Sequence, residues 1–361
     1  MPPHGFLGCA WLNGRMDPSR FESRRAVGIW LLAVAAIIAS MVVIGGLTRL
    51  TGSGLSITQW DPIMGAIPPL SNADWQDVFH KYQQIPQYTR ENAGMTLEGF
   101  KGIFWWEWTH RLLGRLLGVV FLVPFVWFAW RGAIARKEIP RMIVLFLLGG
   151  LQGFIGWWMV ESGLEVRVSV SQYRLAIHLG TALILFAAIL WTALEYLRPK
   201  ISSMVAPFAK WALVFVGLVY FQMLLGAIVA GLHAGLIYNT WPSMDGQFIP
   251  DGVFFFKPWW INFTENASLA QFDHRMAAYL VAISAFALWL RGKRAKLTGL
   301  ARTSGDLVLG ITGLQIVLGI LTLLNQVPEA LAAAHQFTAV ALLASSLWHA
   351  YELRLTSPEI T

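Results

Sequence analysis

Eight runs of about 20 apolar residues, near 26–47, 104–130, 142–160, 173–197, 208–231, 270–290, 305–325 and 330–353, constrain this chain before anything else does. At 1.5 Å of rise per residue, each can cross the hydrocarbon core of a bilayer as a helix. In lipid, a spanning segment has to satisfy its own backbone hydrogen bonds, so the runs predict helices rather than isolated strands. Composition agrees: 56% of the 361 residues are hydrophobic and 13% charged, with mean hydropathy +0.55. The expected fold class is an all-α polytopic membrane protein with eight transmembrane helices. The first run is too long for a signal-peptide core and lacks a convincing cleavage site, so it reads as a retained span.

The single cysteine, Cys9, lies in the N-terminal tail, which excludes a disulfide framework or a Cys-ligated metal site inside the chain. The net charge of +7 does not point to nucleic acid, because the basic residues are scattered through short connections rather than gathered on one face. Topology explains them better. With the N-terminus inside, 17 of the 27 Lys and Arg fall on inner segments, so both termini are expected in the cytoplasm.

The chain also repeats itself. Gly54-Leu55 and Trp60 return as Gly235-Leu236 and Trp241, 181 residues on, and His110-Arg111 return as His274-Arg275, 164 residues on. Gly150-Leu151-Gln152 and Gly156 return as Gly313-Leu314-Gln315 and Gly319, and the segment 174–196 with His178 aligns with 331–352 and His335. The predicted organisation is a cytoplasmic tail (1–25), an N-terminal four-helix half (26–200) with a long outer loop (51–103), a C-terminal half (201–355) with a long outer loop (232–269), and a short tail (356–361). An even number of spans per half makes the two bundles pseudo-two-fold related about the membrane normal.

His110, His178, His274 and His335 each fall about five residues inside the outer end of an even-numbered span, roughly 8 Å deep. Ionisable residues at that depth are functional candidates, and the repetition gives one facing pair per half. Zinc wants a third or fourth ligand that neither half offers, and a quinone would not explain two imidazoles. A haem iron takes one imidazole from each side, so haem fits best. Arg111 and Arg275, beside their histidines, are candidate propionate partners, with snorkelling to headgroups as the plain alternative. His4, His80, His233 and His349 lack repeat partners and read as surface or interfacial residues. No span is read as carrying the second histidine that a haem stack across the bilayer would need.

The halves differ where chemistry would differ. Three residues before the first histidine stands Glu107 in one half and Gln271 in the other; four before the second stand Arg174 and Leu331. Glu107 shares a helical face with His110 and could accept a proton or act as a nucleophile in an oxidation, or simply pair with Arg111 one turn away. One half then holds a permanent haem and the other a haem that is worked upon.

The stretch 46–56 (Gly-Leu-Thr-Arg-Leu-Thr-Gly-Ser-Gly-Leu-Ser), Trp60, Pro68-Pro69, Tyr82-Gln83, Glu107-Trp108-Thr109-His110-Arg111 and the three later histidines resemble the haem A synthase family over about residues 24–355. The likeness is to its mitochondrial and alphaproteobacterial branch, which lacks paired loop cysteines. The resemblance implies an oxidoreductase that converts the C8 methyl of haem O to a formyl group through hydroxylated intermediates, making haem A for terminal oxidases. It implies a haem b cofactor on His274 and His335, substrate haem O near His110 and His178, and Glu107 as the catalytic residue. Implied partners are a haem O synthase, oxidase assembly factors, membrane lipid and an electron-transfer partner or quinone, with homo-oligomers possible. The implied location is a bacterial inner membrane with the haem sites near its periplasmic side. The other functions considered are a dihaem b-type cytochrome carrying electrons from quinol, and a haem transporter or chaperone.

Overall fold

The computed structural model describes residues 18–198 and 208–355. Most of the expected N-terminal tail, with His4 and Cys9, and the tail 356–361 lie outside the described residues. Each apolar run becomes a helix: α1 (Pro18–Leu50), α4 (Leu97–Trp130), α5 (Ile139–Glu161), α6 (Gln172–Leu197), α7 (Ala209–Gly231), α9 (Ala267–Arg294), α10 (Gly299–Leu324) and α11 (Glu329–Leu353). These eight are long and apolar enough to cross a membrane. Short helices α2 (Asn72–Tyr82), α3 (Pro86–Arg90) and α8 (Asn262–Glu265) lie in the two long connections.

Helix α1 packs against α4 and α6, and α5 packs against the same two. In the second group α7 packs against α9 and α11, and α10 against those two. The groups meet where α6 touches α7 and α11, and where α1 touches α11. At that last contact Gln336 Nε2 donates to the Val42 carbonyl (2.7 Å), and its Oε1 fills the place where a Cβ at Gly46 would stand. Leu31, Val34, Leu183, Ile189, Leu343 and Leu353 are among the side chains fully buried in the shared core.

One local repair shows how strictly the backbone is accounted for. Pro124 stands inside α4 and has no N–H for the Val120 carbonyl one turn before it. Trp30 of α1 supplies the missing donor, its Nε1 lying 2.8 Å from that oxygen.

Helix α4 starts seven residues before the position read from hydropathy. Thr96 caps it by accepting from the Gly99 N–H, and Phe100 and Phe104 on the added turns are buried against Trp75, Phe79 and Tyr82. Membrane-length reasoning ends a helix where lipid ends. Here a folded aromatic cap carries it further. Helix α2 in that cap begins with a capping box in which Ser71 and Asp74 exchange bonds. The other long connection is tied by Asn262, whose Nδ2 donates to the carbonyls of Phe256 and Trp259, and by Asn266, which caps α9.

Candidate functional site

The four repeated histidines share one packing device. A Cβ built on Gly45 would lie 3.0 Å from His110 Cε1, on Gly156 2.9 Å from His178 Cε1, on Gly226 3.2 Å from His274 Cε1, and on Gly319 2.9 Å from His335 Cε1. Each imidazole from α4, α6, α9 or α11 therefore lies on a glycine of the helix that precedes it in the row of spans. Only a residue without a side chain permits that approach. Each glycine stands five residues before the end of its helix, at Leu50, Glu161, Gly231 and Leu324. The four rings thus sit at matching levels, about 7.5 Å of helix below those ends.

A second layer was not read from the sequence. Four residues before three of those glycines stands a glutamine. Gln152 Nε2 lies 3.0 Å from His178 Nδ1 and donates to the His178 carbonyl (2.8 Å); Gln222 Nε2 lies 3.2 Å from His274 Nδ1 and donates to the His274 carbonyl (2.9 Å). Gln315 Nε2 lies 3.3 Å from His335 Nε2. In α1 the same register position holds Met41. The available signal was Gln-x-x-x-Gly near the ends of successive odd-numbered spans.

Above each pair a helix arginine clamps the long connection. Arg111 donates to the carbonyls of Ile57 (2.7 Å) and Gln59 (2.9 Å); Arg275 donates to those of Tyr238 (2.9 Å), Thr240 (2.9 Å) and Ser243 (3.3 Å). Ile57 and Gln59 correspond to Tyr238 and Thr240 at the offset of 181 noted in the sequence. Both guanidinium groups are spent on loop carbonyls. Glu107, 3% exposed, completes the first clamp: Oε2 accepts from Ser56 Oγ and the Ile57 N–H (both 2.8 Å), and Oε1 from Arg111 Nε (3.0 Å) and Nη2 (2.6 Å). Its carboxylate and the His110 ring therefore have different neighbours, although they share a helix face. A cleft of about 250 Å³ opens beside the clamp, lined by Gln59, Trp60, Arg111, Trp157 and Glu161 among others.

Arg174 reaches the end of α5 rather than a histidine, donating to the Trp158 carbonyl (2.6 Å) and lying over the Trp158 ring at 4.5 Å. His349 departs from its sequence reading: it is 2% exposed, its Nδ1 lies 2.9 Å from Ser304 Oγ, and its ring lies on Gly305. Helix α11 therefore does carry two histidines, His335 and His349, contrary to the reading that no span does. Ser304 satisfies the inner one, so it packs as a core residue. His80 and His233 are exposed.

The donor set suits a large planar ligand with a central metal. Two imidazole pairs are half-buried between helices, and the atoms His110 Nδ1, His335 Nδ1, Gln222 Oε1 and Gln315 Oε1 are buried without partners.

The sequence profile of the COX15-CtaA family, described as cytochrome oxidase assembly protein, matches residues 28–347. The chain is 49% identical over 331 residues to the heme A synthase of Parvibaculum lavamentivorans, covering 92% of this chain and 95% of that protein. It is 46% identical over 353 residues to the heme A synthase of Nitrosospira multiformis (97% and 99% covered) and 51% identical over 328 residues to that of Bradyrhizobium diazoefficiens (89% and 90% covered). With eight membrane-length helices and a match along almost its whole length, the chain belongs to the COX15-CtaA family of cytochrome oxidase assembly proteins.

Proposed function

We propose that this protein is a haem A synthase that oxidises the C8 methyl of haem O to a formyl group through hydroxylated intermediates. The names of its relatives support the reading, and so does the pairing of the buried imidazoles. In this reading the two four-helix groups are pseudo-two-fold halves. His274 and His335 would hold a resident haem b, and His110 and His178 would hold haem O as substrate. The resident haem supplies one-electron redox chemistry when bound.

The observation that carries the assignment is the contrast at corresponding positions. Glu107 stands one turn before His110 on α4 and pairs with Arg111, where Gln271, one turn before His274 on α9, is a neutral amide bonded to the Tyr238 carbonyl. A carboxylate there can take a proton from the substrate's reacting carbon or oxygen. All its acceptor capacity is engaged by Ser56, Ile57 and Arg111, so proton transfer requires one of these donors to let go. Loop 56–59 is then part of the catalytic cycle. Arg111, Arg174 and Arg275 act in this scheme by shaping the rims that receive the propionates.

In this reading both termini are cytoplasmic and the long loops and both sites face the periplasmic side of a bacterial inner membrane, a topology that the positive-inside bias supports. The chemistry asks for a haem O synthase upstream, oxidase assembly downstream and an electron-transfer partner such as a quinone. The test is to express the protein with a haem O source and to identify extracted haems by chromatography and mass. Hydroxylated and formyl haems are expected; finding neither under turnover conditions would sink the reading.

A further inference from the structure

The four glycine seats differ in what stands one turn beyond them, toward the helix end. Four residues after Gly156, Gly226 and Gly319 come Val160, Ala230 and Leu323; four after Gly45 comes Arg49. Residues four apart share a helix face, so Arg49 stands on the face of α1 that carries the His110 ring, roughly 6 Å further along the axis. Side chains on a helix lean toward its N-terminus, and in α1 that direction leads back over Gly45 and away from the helix end.

The guanidinium meets no acceptor there. Arg49 is half-buried, its Nη2 is buried without a hydrogen-bond partner, and it enters no ion pair among the described residues. Arg111, Arg115, Arg174 and Arg275, by contrast, each donate to at least one backbone carbonyl. The free carbonyls in the last turn of α1 favour a cation nearby, yet none of them bonds to Nη2. An arginine keeps its charge inside a protein, and a buried charge without a partner is destabilising until an anion joins it. We propose that Arg49 binds a propionate carboxylate of the haem held by His110 and His178. This rests on the reading that the His110–His178 pair holds haem O. The guanidinium fork matches a carboxylate through two parallel N–H···O bonds, and a haem carries two carboxylates on one edge. The corresponding residue of the other half is Ala230, so the contact belongs to the substrate haem and not to the resident one.

The test uses full-length protein purified with its haem b from cells that make no haem O. Haem O and its dimethyl ester, in which both propionates are methylated and uncharged, are titrated in and binding is followed by absorbance. Wild-type protein is expected to bind haem O about ten- to a hundredfold more tightly than the ester, the range of a hydrogen bond to a charged group. Arg49→Gln should weaken haem O by a similar factor and leave the ester unchanged, so that most of the preference disappears. Arg49→Lys keeps the charge without the fork and should fall between the two. Haem b content and its low-spin signal, unchanged in both variants, report that the protein is folded; should Arg49→Gln lose both haems, Arg49→Lys carries the comparison.

A preference for haem O over the ester that survives Arg49→Gln would overturn the proposal, as would equal weakening of both ligands, which marks a structural role. Loss of haem b with haem O binding intact would also overturn it, by giving the contact to the resident haem. Wild-type protein that retains haem b and binds no haem O would instead overturn the parent reading, and this proposal with it.

Discussion

The clamps over the two histidine pairs are built from the same parts and differ in one charge. In each, a helix arginine reaches two loop carbonyls two residues apart, and the residue one turn before it touches the same loop. Glu107 accepts the Ile57 N–H, whereas Gln271 donates to the Tyr238 carbonyl (3.2 Å) and leaves its own Oε1 without a partner. Arg111 is neutralised by a buried carboxylate; Arg275 has carbonyl oxygens only, and its Nε is unpaired. An acid–base group has been added to a structural latch in one half. In the other half the latch stands by itself.

Breaking that difference gives the largest expected effect. Glu107→Gln makes the first clamp resemble the second and should lower product formation by about 10²- to 10⁴-fold, with haem b retained in the optical spectrum. Full activity in that variant would reduce Glu107 to a latch residue. The reciprocal Gln271→Glu should pair with Arg275 and leave product formation near wild type, if the substrate is held by the other half as proposed.

Removing the common part comes next. Arg275→Ala leaves the Tyr238, Thr240 and Ser243 carbonyls without their shared donor and should cost on the order of 3 kcal/mol in thermal unfolding. Arg111→Ala should cost at least as much, because it also strands the buried Glu107 carboxylate. Gly319→Ala and Gly156→Ala each place a methyl 2.9 Å from an imidazole carbon, an overpacking worth about 1–2 kcal/mol. The first should broaden the low-spin haem b signal and spare haem O; the second should do the reverse.

The smallest effect is in the aromatic cap of the first half. Hydrogen bonds from Ser71 and Leu70 hold the Asp74 carboxyl below the usual carboxylate range. Its contribution is therefore present above the unfolded value near pH 4 and fades as pH falls through the lower folded value. Asp74→Asn should flatten the acid-side loss of protection of α2 amides in hydrogen exchange.

The eight spans, the four histidines and the correspondence between halves were legible because each rests on local periodicity or on a repeat longer than a helix. The partners of Glu107 were not. Ser56 and Ile57 lie about 50 residues before it, and only the folded loop brings them within 2.8 Å. Gln222 and Met41 are harder to read for a different reason: they occupy matching positions in the two halves but differ in type, so only a comparison of α7 with α5 and α10 exposes the Gln-x-x-x-Gly spacing. His349 was misplaced because want of a repeat partner was taken as exposure, whereas Ser304 makes burial affordable. Helix α4 outran its reading because the aromatic cap replaces lipid as the medium around its first turns.

Gly45 carries the His110 ring, and Gly46, the next residue, carries Gln336, which follows His335 in α11. Neighbouring Cα atoms are 3.8 Å apart. One peptide unit of α1 therefore acts as the gauge block between the two sites, setting their separation with backbone rather than with side chains that could turn. A shift of α11 along its axis would drag the seat of His110 with it.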